Sequence, residues 1–155
     1  MRKTSAAAAL FLCLAAPADA QPRYYSSSDR AAANDTSFVV STGERQNLSI
    51  GWNCFEAGPA VIVMFTKHLA GTGGTVPLEY GVPDGVPQTP IALPIIDSRK
   101  GAMVPMHQVG EFTSVALSGD MLLVRIQDGG RVLTDAVSLK GLAFELTKLG
   151  CFAER

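Results

Sequence analysis

Apolar and polar residues alternate along much of the chain with a period of two, which is typical of half-buried β-strands. The alternation is most regular over residues 47–54, where every second residue from Leu48 to Cys54 is apolar or cysteine. Turn-forming residues at 56–59 separate this segment from the apolar run 60–65. The two segments therefore predict a β-hairpin whose second strand is buried on both faces.

Further strands are predicted by short apolar runs between turn signals. These runs cover residues 38–40, 75–80, 103–104, 112–117, 121–127 and 132–137. Residues 81–94 are rich in proline. Because proline cannot donate a ladder hydrogen bond, this stretch predicts an extended loop or a sheet edge.

Near the C-terminus the apolar spacing changes to three and four, which predicts one amphipathic helix over residues 139–150. Ser138 fits its N-cap and Gly150 its C-cap. The inward face would carry Leu139, Leu142, Ala143, Leu146 and Leu149. The predicted fold is mainly β, a small antiparallel sheet or sandwich that is closed by one C-terminal α-helix.

The first twenty residues have the pattern of an export signal. Arg2 and Lys3 precede an apolar segment at 6–16, and Ala18-Asp19-Ala20 has the small-x-small pattern that signal peptidase cleaves. The apolar segment is shorter than the about 20 residues that span a bilayer. We expect a periplasmic or secreted protein with no stable membrane anchor after cleavage. The expected organisation is a signal peptide at 1–20, a flexible N-terminal arm at 21–37 and a single β-rich domain at 38–155.

Cys13 lies inside the predicted signal peptide, so Cys54 and Cys151 remain in the exported chain. An even pair of cysteines in an oxidising compartment predicts one disulfide bond. A zinc site would need more ligands than this pair and the scattered histidines supply. A redox-active pair would normally have the CxxC spacing, which is absent.

The formal net charge of −1 argues against a nucleic-acid-binding protein, which normally carries a basic stripe. The histidines, His68 and His107, are the candidate general bases, but no G-x-S-x-G elbow accompanies them. Met103, Met106 and His107 could form a soft metal site, although methionines more often fill gaps beneath loops. We therefore expect no enzymatic activity, no cofactor and no bound metal.

The layout resembles the VasI-like periplasmic accessory proteins that are associated with type VI secretion. The matching features are a strand that ends in a cysteine, an aromatic strand before an acidic turn, an LLVRI strand before a glycine-rich hairpin, and the closing segment. In this chain they are residues 48–54, 78–85, 122–130 and 137–151. The resemblance implies an exported, disulfide-closed β domain with a C-terminal helix. The chain departs from the family where Gly81, rather than arginine, follows Tyr80, and where residues 21–37 replace a tryptophan-containing stretch.

Together these features predict an exported, non-enzymatic accessory or binding protein that acts through protein–protein contacts. Sheet edges and the proline-rich stretch would contact the partner, because an extended segment can pair with a partner strand. The candidate contact residues are Tyr80, Asp84, Pro87 and Pro90. The alternatives are a small periplasmic inhibitor or immunity-type protein, and a small hydrolase that uses His68 or His107.

Overall fold

A computed structural model describes residues 21–26 and 37–153. The predicted signal peptide, its Cys13 and residues 27–36 of the predicted arm lie outside the described residues. No helix within the described ranges is long and apolar enough to cross a membrane.

The fold is mainly β, with 48% of residues in strands, which confirms the predicted class. The strands are β1 (Arg23–Ser26), β2 (Ser37–Thr42), β3 (Leu48–Phe55), β4 (Gly58–Phe65), β5 (Thr75–Gly81), β6 (Ile91–Ile96), β7 (Gly101–Met103), β8 (Met121–Asp128) and β9 (Arg131–Ser138). The helices are α1 (Val109–Leu117) and α2 (Leu142–Leu146), with 3₁₀ turns at Asp97–Arg99, Met106–Gln108 and Gly150–Phe152. All strand pairs are antiparallel, in the order β1-β2-β3-β4-β7-β6-β5-β8-β9.

Strand β6 is the corner at which this sheet bends into two layers. Its residues 91–94 pair with β5, whereas Ile95 and Ile96 pair with β7. A strand that changes partners in this way is how a sheet turns a sandwich corner. We call β1, β2, β3, β4 and β7 layer A, and β5, β6, β8 and β9 layer B. Their inner faces share one apolar core, in which Trp52 and Phe112 are the largest fully buried side chains.

The alternation in β3 is confirmed, because Leu48, Ile50 and Trp52 are all buried. The prediction that the next strand is buried on both faces is wrong. In β4 the side chains of Val61 and Val63 are buried, but Met64 is 38% exposed. An antiparallel layer can leave one face open to solvent, and layer A does so.

Two segments differ from their predicted type. Residues 112–117 form most of α1 rather than a strand, with Val109, Phe112 and Ala116 on its buried side. A short apolar run has no period long enough to distinguish a buried helix from a strand. Residues 91–96 form a strand in mid-sheet, with Pro94 paired opposite Thr75, so the loop is confined to residues 82–90.

The C-terminal helix is shorter than predicted. Gly141 has φ 87°, in the left-handed region that a right-handed helix excludes, so α2 begins after it at Leu142. Ser138 therefore ends β9 instead of capping the helix, and Gly150 begins a 3₁₀ turn. The predicted leucines still face the core, since Leu139, Leu142, Leu146 and Leu149 are buried.

The start of the predicted flexible arm is a strand. β1 pairs with β2, and the Tyr24 amide donates a hydrogen bond to Glu145 Oε2 at 3.0 Å. The Tyr24 hydroxyl also donates to Ser37 Oγ, and the ammonium of Lys148 lies 5.7 Å from the Tyr24 ring centroid. Glu145 thus ties α2 to this edge.

The predicted disulfide is confirmed. Cys54 at the end of β3 bonds to Cys151 in the last 3₁₀ turn, with the two Cα atoms 5.8 Å apart. It joins positions 97 residues apart, so it fastens the C-terminal segment to the first long hairpin of layer A.

A buried carboxylate holds the loop that follows β4. Asp128, 2% exposed, accepts hydrogen bonds from the amides of Ala70 and Gly71 at 2.8 Å and pairs with Arg131. Burial by itself raises the pKa of the Asp128 carboxyl, but the two amides and the guanidinium outweigh it and hold the pKa below its ordinary value of 3.8.

Replacing either cysteine, by Cys54→Ser or Cys151→Ser, should lower the free energy of unfolding by about 2–5 kcal/mol, because the unfolded chain loses a long-range crosslink. Urea unfolding followed by the emission of Trp52, which is fully buried, measures this change. Reductant should lower the midpoint of the native protein and leave that of Cys54→Ser unchanged. An identical midpoint for oxidised and reduced native protein would contradict the assignment.

Asp128→Asn should destabilise the protein at neutral pH by about 1–3 kcal/mol, because its hydrogen bonds lose their charged acceptor. The lowered pKa means that the carboxylate's contribution is complete above pH 3.8 and is lost as pH falls through the lower folded-state value. The native protein should therefore lose stability in acid more steeply than Asp128→Asn. Asp84→Asn, at an exposed aspartate, is the matched control. If the free energies of unfolding of the native protein and of Asp128→Asn fell equally as the pH is lowered, this role of Asp128 would be ruled out.

Candidate functional site

A groove with a volume of about 510 Å³ lies on the outer face of layer B, beneath the 82–90 loop. Gly81, Leu123 and Ala136 lie in one row across β5, β8 and β9, on the side of layer B that faces away from the core. The small residues on both sides of Leu123 leave an apolar hollow in the sheet surface. Leu123, 47% exposed, forms its floor.

The 82–90 loop forms one wall of the groove. Its lining residues are Val82, Gly85, Val86 and Pro87. The Gly85 amide donates to the Val82 carbonyl at 3.0 Å, which closes a tight turn. A Cβ atom at position 85 would lie 2.6 Å from Val82 Cγ2, so any larger residue there would force Val82 to shift. The loop therefore has a defined shape over the sheet.

The next row along the strands is polar. Glu79, Arg125 and Thr134 lie side by side on β5, β8 and β9. This row is two residues along the strands from the apolar row. The Arg125 guanidinium donates to Glu79 Oε1 at 2.7 Å, and both side chains are about half exposed. An exposed pair of this kind contributes little to stability, so it chiefly gives this end of the groove its polarity.

Arg45, in the turn between β2 and β3, reaches the groove from layer A. Its guanidinium donates to Thr134 Oγ1 at 3.2 Å. Within the described parts of the chain, no carboxylate forms a salt bridge with this guanidinium. The groove thus has an apolar floor and, at one end, a guanidinium cation that can bind an anionic group of a partner.

Asp135 fixes the turn that carries Arg45. Its carboxylate, 5% exposed, accepts hydrogen bonds from the amides of Arg45 and Asn47, each at 2.9 Å. A Cβ atom at Gly43 would lie 2.2 Å from the Asp135 carboxyl carbon, so only glycine allows the turn to approach this closely. The position of Arg45 in the groove therefore depends on a buried anion.

The structure separates the four predicted contact residues. Pro87 lines the groove, Asp84 is exposed in the loop with φ 60°, and Pro90 is exposed just before β6. Tyr80 borders the groove, but its ring packs at a tilt against that of Phe112, with the centroids 5.0 Å apart.

With Tyr80 only 7% exposed, most of its ring belongs to the core, and it contributes only a small edge to the groove. Burial and the nearby charge of Glu111 raise the pKa of Tyr80 above its ordinary value of 10.0.

The sequence patterns did not identify the groove residues Arg45, Leu123, Arg125 and Ala136. The alternation in residues 121–127 does place Leu123 and Arg125 on the outward face of their strand, and an outward leucine is the one signal that was available. Arg45 gave no signal, because its contact with Thr134 joins residues 89 positions apart.

Both sheet edges are partly blocked, which argues against simple addition of a partner strand. On β1 the Tyr24 amide is bonded to Glu145, and on β9 the Ala136 carbonyl accepts from the Glu44 amide at 2.9 Å. The Thr134 carbonyl accepts from Asn47 Nδ2 at 3.1 Å. Protected edges of this kind are how β proteins avoid pairing with other chains.

The other candidate chemistry lies away from the groove. His68 is exposed, and its Nδ1 donates to the Ser98 carbonyl at 2.8 Å. Met103 and Met106 line an apolar cleft of about 230 Å³, and His107 is not among its lining residues. In the part of the chain that the structure describes, no group of three or more His, Cys, Asp or Glu side chains could hold a metal ion.

No protein-family model, curated protein or solved structure matches this chain.

Proposed function

We propose that this protein is an exported binding protein that holds an extended segment of a partner protein in the groove beneath the 82–90 loop. The observation that carries the proposal is the combination, in one concavity, of an exposed apolar floor at Leu123 with the Arg45 guanidinium, which forms no salt bridge within the described residues. No catalytic step is part of this proposal.

The floor supplies the affinity in this proposal. An apolar concavity rimmed by polar residues is typical of binding sites, because burying the floor removes apolar surface from water. Leu123, Ala136 and Val82 would surround one apolar side chain of the partner. The shaped loop would limit which side chains fit.

The cationic end supplies the selectivity. A guanidinium binds a carboxylate through charge-assisted hydrogen bonds, which are often bidentate. The row that contains Thr134 lies two residues from the row that contains Leu123, which is about 7 Å along a strand. An extended partner segment would therefore carry an acidic side chain two positions from an apolar one.

The compartment is supported by the leader pattern at residues 1–20 and by the Cys54–Cys151 disulfide, which fits an oxidising compartment. The resemblance to VasI-like proteins supports a partner within a type VI secretion apparatus. In a second form of this proposal, the protein is a small inhibitor or immunity-type protein, and its groove binds a segment of an enzyme or a toxin.

Site-specific photo-crosslinking tests the proposal. A photoreactive phenylalanine at Leu123, in the protein expressed in its own cells, should give one dominant adduct with a partner protein. Val132 is the matched control, because it is 46% exposed on the adjacent strand and does not line the groove. The adduct should form at position 123 and not at position 132.

Arg45→Ala should reduce the yield of that adduct about tenfold or more, because a charge-assisted hydrogen bond contributes about 1.5–3 kcal/mol. Arg45→Lys, which keeps the charge, should recover part of the yield. Equal adducts at positions 123 and 132, or an adduct insensitive to Arg45→Ala, would overturn the proposal. Mass spectrometry of the partner would separate a secretion component from a cell-wall hydrolase.

A further inference from the structure

Basic residues cluster at one end of the sandwich. They lie in three separate segments, namely the loop after β4, the turn between β6 and β7, and the hairpin between β8 and β9. Their side chains are exposed or half-exposed, and the residues are Lys67, His68, Arg99, Lys100 and Arg131. We call this surface the basic end. It does not overlap the groove beneath the 82–90 loop, which other residues line.

Hydrogen bonds join the three segments into one surface. His68 Nδ1 donates to the Ser98 carbonyl at 2.8 Å, and the Arg131 guanidinium donates to the His68 carbonyl at 3.2 Å. The Phe65 amide donates to the Lys100 carbonyl at 2.7 Å, which brings the loop after β4 next to the turn between β6 and β7. The basic residues therefore share one surface, although they are far apart in the chain.

Arg99 holds the basic end together from within. Its guanidinium donates to the carbonyls of Leu69 at 3.4 Å, Gly73 at 3.1 Å and Gly71, and the Leu69 amide donates to the Arg99 carbonyl at 2.8 Å. Arg99 has φ 56°, in the left-handed region that residues other than glycine rarely adopt. A backbone in this region persists only where its surroundings hold it. The cationic turn therefore has a defined conformation.

The carboxylates at this end do not cancel its positive charge. Asp128 is buried, pairs with Arg131 and binds two backbone amides. Within the described ranges, no carboxylate forms a salt bridge with Lys67, Arg99 or Lys100. Residues 66–73, 97–101 and 128–131 together contain four Lys or Arg residues and two Asp residues, a formal net charge of +2 in a chain whose net charge is −1.

Exposed acidic residues lie at the other ends of the same strands. Glu56 is in the turn before β4, Asp84 follows β5, and Asp120 precedes β8. An excess of cations therefore lies at one end of the sandwich, and three exposed carboxylates lie at the other. A charge distribution of this kind orients a protein in the field of a charged surface.

We propose that the basic end binds reversibly to the anionic surface of a lipid bilayer. Each Lys or Arg near an anionic bilayer strengthens attachment about fivefold, so the three cations without a carboxylate partner give roughly a hundredfold. The predicted export of the chain would bring it to such a surface. Because the attraction is between exposed charges, the attachment should be weak and sensitive to salt.

Two observations favour a bilayer over other anionic partners. The cations come from three separate segments, whereas an extended acidic peptide would need one groove or one strand edge. A hollow of about 280 Å³ lies beside Arg99, but the Asp128 carboxylate also lines it and would repel a free phosphate. The inference does not depend on the proposed function, because the basic end and the groove are different surfaces.

Co-sedimentation with lipid vesicles tests the proposal. The protein, purified after expression of the whole chain, should bind vesicles of phosphatidylglycerol and phosphatidylcholine in equal parts. At about 50 mM salt this binding should be roughly a hundredfold tighter than binding to phosphatidylcholine alone. Raising the salt to about 500 mM should release the protein, because salt screens exposed charges.

Lys100→Glu should weaken binding to the anionic vesicles about tenfold or more, because it replaces a cation by an anion that the bilayer repels. Lys140→Glu is the matched control, because it makes the same change of charge at an exposed residue next to Leu139, whose amide donates to the Asp120 carbonyl at the opposite end. It should leave binding nearly unchanged. Circular dichroism would verify that both variants fold, and Lys67→Glu would replace Lys100→Glu if the latter does not.

Equal binding of the native protein to anionic and neutral vesicles would overturn the proposal. So would binding that is insensitive to salt, or equal weakening by Lys100→Glu and Lys140→Glu. Binding to polyglutamate without binding to anionic vesicles would also overturn it, and would assign the basic end to an acidic protein instead.

Discussion

The carboxylate of Asp135 holds layer A against layer B where the turn between β2 and β3 meets β9. It lies on β9 and binds the amides of Arg45 and Asn47, which belong to the turn between β2 and β3. Burying this anion is tolerated because backbone N–H groups replace its water. Gly43 makes room for the contact. The same contact fixes Arg45 at the cationic end of the groove. The proposed binding site and the joining of the two layers therefore depend on one interaction.

Two other ties act in the same way at other points of the structure. Asp128 on β8 binds the loop after β4, and the Cys54–Cys151 disulfide joins β3 to the C-terminal segment. Each of these two contacts links residues that are far apart in the chain, and each lies at or next to the end of a strand. The central strands are held by ladder hydrogen bonds and apolar burial, whereas the ends of the sandwich depend on these specific contacts.

Features that follow from local alternation could be predicted from the sequence, and features that need long-range contacts could not. The face of β3 that carries Trp52 follows from a period of two, and the disulfide follows from the two cysteines that remain once the predicted signal peptide is set aside. Helix α1 was missed because a short apolar run around Phe112 fits a strand equally well. Of the residues that line the groove, the sequence pointed to Tyr80 and Pro87. Arg45 could not be foreseen, because its place is set by Asp135, ninety positions away.

Amide hydrogen exchange at Arg45 and Asn47 tests most directly whether Asp135 closes the sandwich and fixes the groove. Both amides lie in a turn at the surface, where exchange is ordinarily fast. In the native protein they should exchange about tenfold to a hundredfold more slowly than in Asp135→Ala, as hydrogen bonds to a charged acceptor imply. The amides of the β3–β4 ladder should remain protected in both proteins. Fast exchange of Arg45 and Asn47 in the native protein would contradict the account.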